Sequence, residues 1–301
     1  MKLRMGTRGS ALALAQSGAV AAALARLQPG LEVETVRIRT SGDRFSAQSP
    51  AAARTPAQGA KGLFVKEIEE AVCYGRVDFA VHSAKDLPAV LMAGLFIAAI
   101  PEREDPRDAF LGRDGRKWAQ TGPGARIGTS SLRRRVQLLA ARPGLVMTPM
   151  RGNVGTRLRK LKEGLCDGLV LALAGLRRLG LSEVAHEPLS EELMLPAPGQ
   201  GALAVEARED QSEVLELLSG LDHRPTRLEV ELERAFLKEM GGDCLVPLAA
   251  RAAVRGSEAD MSVFICEPDG SRPVRLSAVC RDLENREAFA RDLASQVRSR
   301  S

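Results

Sequence analysis

Short apolar runs separated by helix-length stretches set the frame of this chain. Residues 2–7 read as a short strand, and Ser10 then stands where a helix cap belongs, ahead of an alanine-rich stretch that reaches about Leu27 and is stopped by Pro29-Gly30. LEVETVRIRT, from Leu31, alternates as a second strand, so the chain opens as β-α-β. From Ser46 to Ala60 the sequence turns to Ala, Ser, Pro and Gln without periodicity, which predicts a mobile, lid-like loop, and a helix follows from Phe64 to Val72. VDFAVHS, from Val77, is apolar enough for a buried strand and ends at Lys85-Asp86-Leu87-Pro88, where the chain must turn. Ligands of α/β sheets bind beyond the carboxyl ends of strands, so this turn is a candidate site.

The alternation resumes from about Asp108 to Leu195. Strand ARIGT, a helix from Ser130, strand LVMTPM, a helix from Val154, strand GLVLALA and a helix from Leu176 predict a second, mostly parallel α/β unit. The Pro-rich stretch 101–106 and the Pro/Gly-rich stretch 196–201 read as paired crossovers, with ALAVEAR returning to the first unit, and such a pair predicts a hinged cleft. Beyond Asp222, the helix LEVELERAFLKEM leads through GGDCLVP to strands MSVFIC and VRLSAVC and a last amphipathic helix, which together predict a separate α+β domain. No internal repeat of 20–50 residues interrupts this scheme.

Composition narrows the class. A chain of 301 residues exceeds one typical core, and 45% hydrophobic with 27% charged residues excludes wholesale disorder and coiled coil. No run approaches the roughly 18 apolar residues of a membrane span, and the opening MKLRMGTRGS leads to no cleavage pattern, so the expectation is an untargeted, cytoplasmic protein with no membrane partner. Five cysteines without CxxC spacing and three scattered histidines suggest neither a disulfide framework nor a metal site.

Charge changes the picture more. The net +5 conceals a segment, 126–178, holding twelve lysines and arginines against two acids, while the rest of the chain is net negative. A chain that is only 3% aromatic lacks the stacking platforms of single-strand binders, so small polyanions fit this segment better than nucleic acid. The plainer alternative is a solvated basic face.

Within the segment, Ser130-Ser131-Leu132-Arg133-Arg134-Arg135 places hydroxyls, backbone N–H groups and arginines at a helix start, a ready anion site. Arg151-Gly152-Asn153-Val154-Gly155-Thr156-Arg157 repeats the device at the next strand-to-helix turn, its glycines allowing close backbone approach. Some of these arginines could instead pair with helix ends or acids. Asp86, following His82, Ser83 and Lys85, is the best buried-acid candidate: a standing carboxylate suited to stabilising a cationic intermediate, or a cap, or a partner of Lys85. Cys244 lies on a Gly-rich turn and could be a reactive thiol or a neutral one, whereas Cys73, Cys166, Cys266 and Cys280 sit in helix or strand patterns and read as inert core thiols.

These motifs together resemble the porphobilinogen deaminase family, also called hydroxymethylbilane synthases, over essentially the whole chain. The resemblance rests on TRGSALALAQ from Thr7, KGLFVKEIE from Lys61, HSAKDLP from His82, EREDPRDAF from Glu102, GTSSLRRR from Gly128, RGNVGTRL from Arg151, LALAGLRRLGL from Leu171, LPAPGQGALAVE from Leu195 and the Cys244 turn. It implies two doubly wound α/β domains like those of periplasmic binding proteins around a cleft, residues 1–101 with 198–221 and residues 102–197, plus a smaller C-terminal α+β domain, 222–301.

The resemblance also implies a chemistry: four porphobilinogens are joined head to tail with loss of ammonia on a dipyrromethane cofactor linked by a thioether to Cys244, and linear hydroxymethylbilane is then hydrolysed off. Loss of ammonia leaves an azafulvene cation that the free α-carbon of the growing chain attacks, which is why no Ser-His-Asp set is needed. Asp86 matches the catalytic aspartate. Lys85, Asp86, Ser131, Arg133, Arg134, Arg151 and Gly152 are expected around the cofactor, and Arg8, Ser10, Phe64, Arg151, Arg157, Arg178 and Gln200 around the substrate. Partners are porphobilinogen and the growing oligopyrrole chain, with no nucleic acid, and the state is monomeric. The cysteine turn reads GGDC where the family most often has Gly immediately before Cys, and the 46–60 loop lacks lysines that some relatives carry, so no lid residue beyond Lys61 is assigned. A solute-binding protein of the same shape would bring an export signal and leave Cys244 without a role.

Overall fold

A computed structural model describes residues 1–41, 65–242 and 246–300. The expected lid over 46–60, Lys61, Phe64 and Cys244 lie outside the described residues. The described chain begins β1 (Lys2–Arg8), α1 (Ala11–Leu27), β2 (Glu32–Ile38), α2 (Lys66–Cys73), β3 (Phe79–Ser83), β4 (Leu95–Ala99) and β5 (Asp108–Gly112). It continues β6 (Arg126–Gly128), α3 (Leu132–Ala141), β7 (Val146–Thr148), α4 (Val154–Lys162), β8 (Gly168–Ala172), α5 (Leu173–Arg178) and β9 (Glu187–Pro188). Last come β10 (Leu203–Arg208), α6 (Ser212–Ser219), α7 (Arg224–Glu239), β11 (Leu248–Arg255), β12 (Glu258–Ile265), β13 (Val274–Cys280) and α8 (Arg286–Arg298). Contacts gather the chain into two compact units, Met1–Arg103 with Ala202–Glu231, and Glu104–Gly201 with Leu232–Ser301.

The first unit is built on a five-stranded sheet in the order β2-β1-β3-β10-β4. Helices cover both faces. Val20 and Leu24 of α1 and Leu218 of α6 pack with Met5, Phe79 and Val81 on one side, while Ile68 and Val72 of α2 pack with Val77 and Ala80 on the other. That double cover explains why β3 reads as an unbroken apolar run: FAVH is buried at every position.

The sheet of the second unit has the order β7-β6-β8-β5-β9 and is covered in the same way. Leu138 of α3 packs with Phe110, Ile127 and Val170 on one face, and Leu161 of α4 and Leu176 of α5 pack with Leu111, Leu169 and Leu171 on the other. The doubly wound α/β class expected for both units is what the structure shows. The expectation of mostly parallel pairing needs correction: in each sheet two pairings are parallel and two antiparallel, because the fourth strand in order, β10 or β5, runs against the other four. Both reversed strands follow the crossovers directly, so a crossover delivers its strand pointing the opposite way.

The C-terminal segment forms a three-stranded antiparallel sheet, β11-β12-β13, against which α8 buries Ala290, Leu293, Ala294 and Val297. This sheet is grouped with the second unit. Helix α7 starts four residues before the predicted Leu228 and closes with N–H bonds from Gly241 to Lys238 O and from Gly242 to Leu237 O, the Schellman pattern that satisfies a helix's last carbonyls. The chain beyond that closure carries Cys244.

Candidate active site

In the first unit the predicted residues leave the carboxyl ends of two neighbouring parallel strands. Parallel register from Met5↔Phe79 and Gly6↔Ala80 sets Arg8 of β1 level with His82 of β3. Ser10 caps α1, its hydroxyl accepting the N–H of Ala13 at 3.2 Å. Beyond β3 the chain makes a single 3-10 turn, Ala84–Asp86, and several bonds fix its position. The antiparallel ladder with β10 extends past the strand through Ala84 N–H to Ala202 O at 3.0 Å, Gln16 donates to Ser83 Oγ at 2.8 Å, and Leu87 behind the turn is wholly buried. The turn holds Lys85 and Asp86 half-buried. Among the described residues no hydrogen bond or ion pair engages the Asp86 carboxylate, so neither the cap nor the Lys85 partnership occupies it.

His82 itself points into the core, where Nε2 lies 3.1 Å from Oε2 of the buried Glu206. Glu69 stands nearby, its carboxyl pushed above the ordinary range by burial and by the charge of Glu206. These residues support the strand end from beneath.

In the second unit the two predicted anion sites are two helix starts. Helix α3 begins at Leu132, later than the predicted Ser130, because Ser131 is the cap, its Oγ accepting the N–H of Arg134 at 3.4 Å. Asn153 caps α4 by accepting from Thr156 at 2.8 Å. Gly152 sits at φ 109°, a conformation that favours glycine, and its carbonyl receives Arg157 Nε at 2.8 Å. Gly201, at φ 90°, lies so close to Glu104 that a Cβ would stand 2.3 Å from its carbonyl oxygen, and Gly201 O receives Arg178 Nη2 at 2.6 Å. Gln200 is buried, donating to Pro106 O at 2.7 Å. Arg151 is exposed.

The arginines divide into two kinds. Arg133 and Arg134 are buried and share one acid, Asp108, the first residue of β5: Arg133 Nη1 lies 2.8 Å from Oδ2, and Arg134 reaches Oδ1 with Nε at 3.0 Å and Nη2 at 2.6 Å. Arg133 also donates to Leu195 O and Gln200 Oε1, and Arg134 to Val170 O. Burial alone would raise the Asp108 carboxyl, but the two guanidinium charges outweigh it and hold the group at about 2. Arg157 and Arg178 are the other kind. Both are half-buried, both donate only to a backbone carbonyl, and among the described residues neither forms an ion pair. Burial, reinforced by the charge of Arg134, pulls Arg157 down to about 10, and burial lowers Arg178 against the opposing charge of Glu104. A partly desolvated cation with no ion pair among the described residues can take up an anion.

The comparisons with known proteins bear on which anion. Residues 3–216 match the porphobilinogen deaminase dipyromethane cofactor binding domain, and residues 227–298 match the C-terminal domain of the same family. The chain belongs to the porphobilinogen deaminase family. Porphobilinogen deaminase of Syntrophotalea carbinolica is 48% identical over 298 residues, covering 99% of this chain and 93% of that protein, and porphobilinogen deaminase of Syntrophomonas wolfei is 47% identical over 295 residues, covering 98% and 94%. Among solved structures, a methionine-binding protein is 14% identical over 79% of this chain and 94% of its own, at a TM-score of 0.43, too low a likeness to bear on fold or function.

The family's dipyrromethane is a polycarboxylate, and Arg157 and Arg178, half-buried and without an ion pair among the described residues, fit such a group. Of the residues predicted for it or the substrate, the structure places Arg8, Ser10, Lys85 and Asp86 in the first unit and Ser131, Arg133, Arg134, Arg151, Gly152, Arg157, Arg178 and Gln200 in the second. Phe64 and Cys244 lie outside the described residues. The other cysteines carry no disulfide; burial raises the thiols of Cys166, Cys266 and Cys280, that of Cys266 to about 11, which leaves them poor nucleophiles at neutral pH. Sequence reasoning missed Asp108. Its one signal was an acid placed directly before the apolar run AFL within EREDPRDAF.

Proposed function

We propose that this chain joins four porphobilinogens head to tail, releasing ammonia at each step, and frees linear hydroxymethylbilane for tetrapyrrole synthesis. The observation that carries the proposal is the pair of half-buried guanidinium groups, Arg157 and Arg178, which form no ion pair among the described residues of a porphobilinogen deaminase family member. Each pyrrole brings two carboxylates, and an arginine that has already lost its water binds one at little further desolvation cost.

Each residue then has a physical task. Arg8, Arg151, Arg157 and Arg178, with Ser10, Phe64 and Gln200, hold the substrate; Lys85, Ser131, Arg133, Arg134 and Gly152 hold the dipyrromethane, and Cys244 anchors it as a thioether. When bound, the dipyrromethane supplies the free α-carbon to which the first porphobilinogen is joined. Asp86 accepts hydrogen bonds from pyrrole N–H groups, and its carboxylate, with no partner among the described residues, offsets the positive charge that develops on the substrate ring as ammonia leaves. The fixed 3-10 turn holds that carboxylate in place before the reaction, so little reorganisation is spent in reaching the charged state. The division of labour follows three domains, 1–101 with 198–221, 102–197 and 222–301. No described helix is long and apolar enough to cross a membrane, and the enzyme works as a cytoplasmic monomer without nucleic acid.

The test is the intact mass of the purified, denatured protein beside a Cys244→Ala variant. A wild-type excess of two porphobilinogens less two ammonias, absent from the variant, supports the proposal. A wild type that stays unmodified after incubation with porphobilinogen, and after incubation with hydroxymethylbilane, refutes it.

A further inference from the structure

Arg133 and Arg134 are consecutive on α3, and consecutive residues of a helix point about 100° apart. Left alone, their guanidinium groups would diverge. A single buried carboxylate beneath the helix start gathers both: Asp108 Oδ2 takes Arg133, and Oδ1 takes Arg134 through two donors. Asp108 is held in turn at the point where β5 leaves the crossover, paired with Ala172 of β8, its backbone carbonyl accepting Leu189 N–H at 2.8 Å.

The pairing does not exhaust the arginines. Each guanidinium has five N–H donors. Arg134 commits Nε, one donor of Nη2 and one of Nη1, while Arg133 commits one donor of Nη1 and one of Nη2 and meets Asp108 Oδ2 as an ion pair. At least two donors on each remain for a ligand. The charge tells the same story: with Asp108 counted, the two arginines present one net positive charge, close enough to Arg157 for Arg134 to disfavour its protonation.

We propose that Asp108 is a positioning residue that also limits grip: a resident carboxylate that aligns Arg133 and Arg134 while keeping them from holding ligand carboxylates too tightly to release. The inference rests on the proposed polymerisation, in which a growing chain must change its contacts at every addition. Without Asp108 the pair would carry two net charges in a buried setting, where a carboxylate is bound more strongly and leaves more slowly.

The experiment compares steady-state kinetics of the holoprotein with those of Asp108→Asn and Asp108→Glu, together with the intact-mass ladder of partly elongated chains. The expected result for Asp108→Asn is a KM for porphobilinogen lowered about threefold or more, a kcat lowered about tenfold or more, and accumulation of partly elongated species. Asp108→Glu, which restores the charge, brings KM back toward the wild type. A KM that is unchanged or raised in Asp108→Asn overturns the proposal, since lost packing alone does not tighten binding. Removing one partner of a buried ion pair often destabilises; if Asp108→Asn does not fold, Asp108→Asn with Arg133→Gln removes a cation with the anion. In that protein KM within about twofold of wild type with low kcat supports the proposal, and a lowered KM overturns it. If the wild type carries no primer and consumes no porphobilinogen, the proposed function itself fails; if it turns over and only the Asp108 variants miss their expected KM, this inference alone fails.

Discussion

Arg157 offers a prediction whose sign is unusual: removing it should stabilise the ligand-free fold. Burial and the Arg134 charge hold its pKa at about 10, well below the ordinary guanidinium range, a destabilisation of roughly 3 kcal/mol. Below pH 10 the group is charged in both folded and unfolded states, so that destabilisation is fully present near neutrality and is relieved only as pH rises through about 10. The hydrogen bond to Gly152 O offsets roughly 1.5 kcal/mol, and residual solvent contact screens some of the remainder. Arg157→Gln should therefore gain roughly 1 kcal/mol, or about 2–4 °C in Tm for a protein of this size. The assay is scanning calorimetry near neutral pH of Cys244→Ala against Cys244→Ala/Arg157→Gln, so that no primer masks the effect. In the same substitution made with Cys244 intact, KM for porphobilinogen should rise roughly tenfold or more through loss of a charge-assisted contact. A double variant that melts below its parent would refute the reasoning, for the guanidinium would then be stabilised by the fold itself.

Asp86→Asn should retain the primer mass on Cys244 yet lose roughly a hundredfold or more in kcat, because the amide keeps the shape of the carboxylate without its charge; wild-type turnover in that variant would remove Asp86 from the mechanism. Gly201→Ala should destabilise the second unit and lower activity together, since a Cβ at φ 90° would sit 2.3 Å from Glu104 O and displace the carbonyl that Arg178 uses; equal thermal stability of variant and wild type would show that the crossover relaxes freely. Acid should destabilise the protein between about pH 4 and pH 2: Asp108 and Asp167, the latter through its hydrogen bonds with Arg126, titrate at about 2 in the fold against an ordinary 3.8. Their depressed values contribute stability above pH 4 that is lost as pH falls through 2, roughly 2 kcal/mol from Asp108. Denaturant midpoints that stay flat from pH 5 to pH 2.5 would contradict this.

Elements with a strong local pattern were legible in the sequence. The apolar run at 79–83, the Ser10 cap and the turn at Lys85-Asp86 lie where periodicity and punctuation put them. Strand direction was not legible: DAFLG and LAVEAR are apolar runs that look alike whichever way they pair, and only the crossovers that precede them make both antiparallel. At the site, Arg157 and Arg159 are two residues apart and indistinguishable by type, yet Arg159 is exposed and pairs with Glu163 while Arg157 turns inward. Arg177 and Arg178 differ in the same way, the first exposed and pairing with Glu104, the second half-buried and bonded to Gly201 O. Residue type proposes an anion site; helical phase decides which arginine can serve it.

The excess of positive charge in 126–178 has a different meaning once partners are assigned. Arg126 pairs with Asp167, Arg159 with Glu163, Arg177 with Glu104, and Arg133 and Arg134 share Asp108, while Arg142 donates to the carbonyls of Trp118 and Thr121. Glu104 and Asp108 lie outside that segment, so a count along the sequence overstates the charge available to a ligand. Of what is left at the site, Arg157 and Arg178 are half-buried and Arg151 is exposed. A nucleic-acid surface needs the opposite, many exposed cations that trade condensed counter-ions for phosphates and so give binding a steep salt dependence. Buried, directional guanidinium groups are screened far less and select for a carboxylate that can enter and be matched donor to acceptor. Of the twelve cations that look in sequence like a polyelectrolyte surface, half are therefore tied to acids or carbonyls in the fold, beside a few that can recognise a small acid.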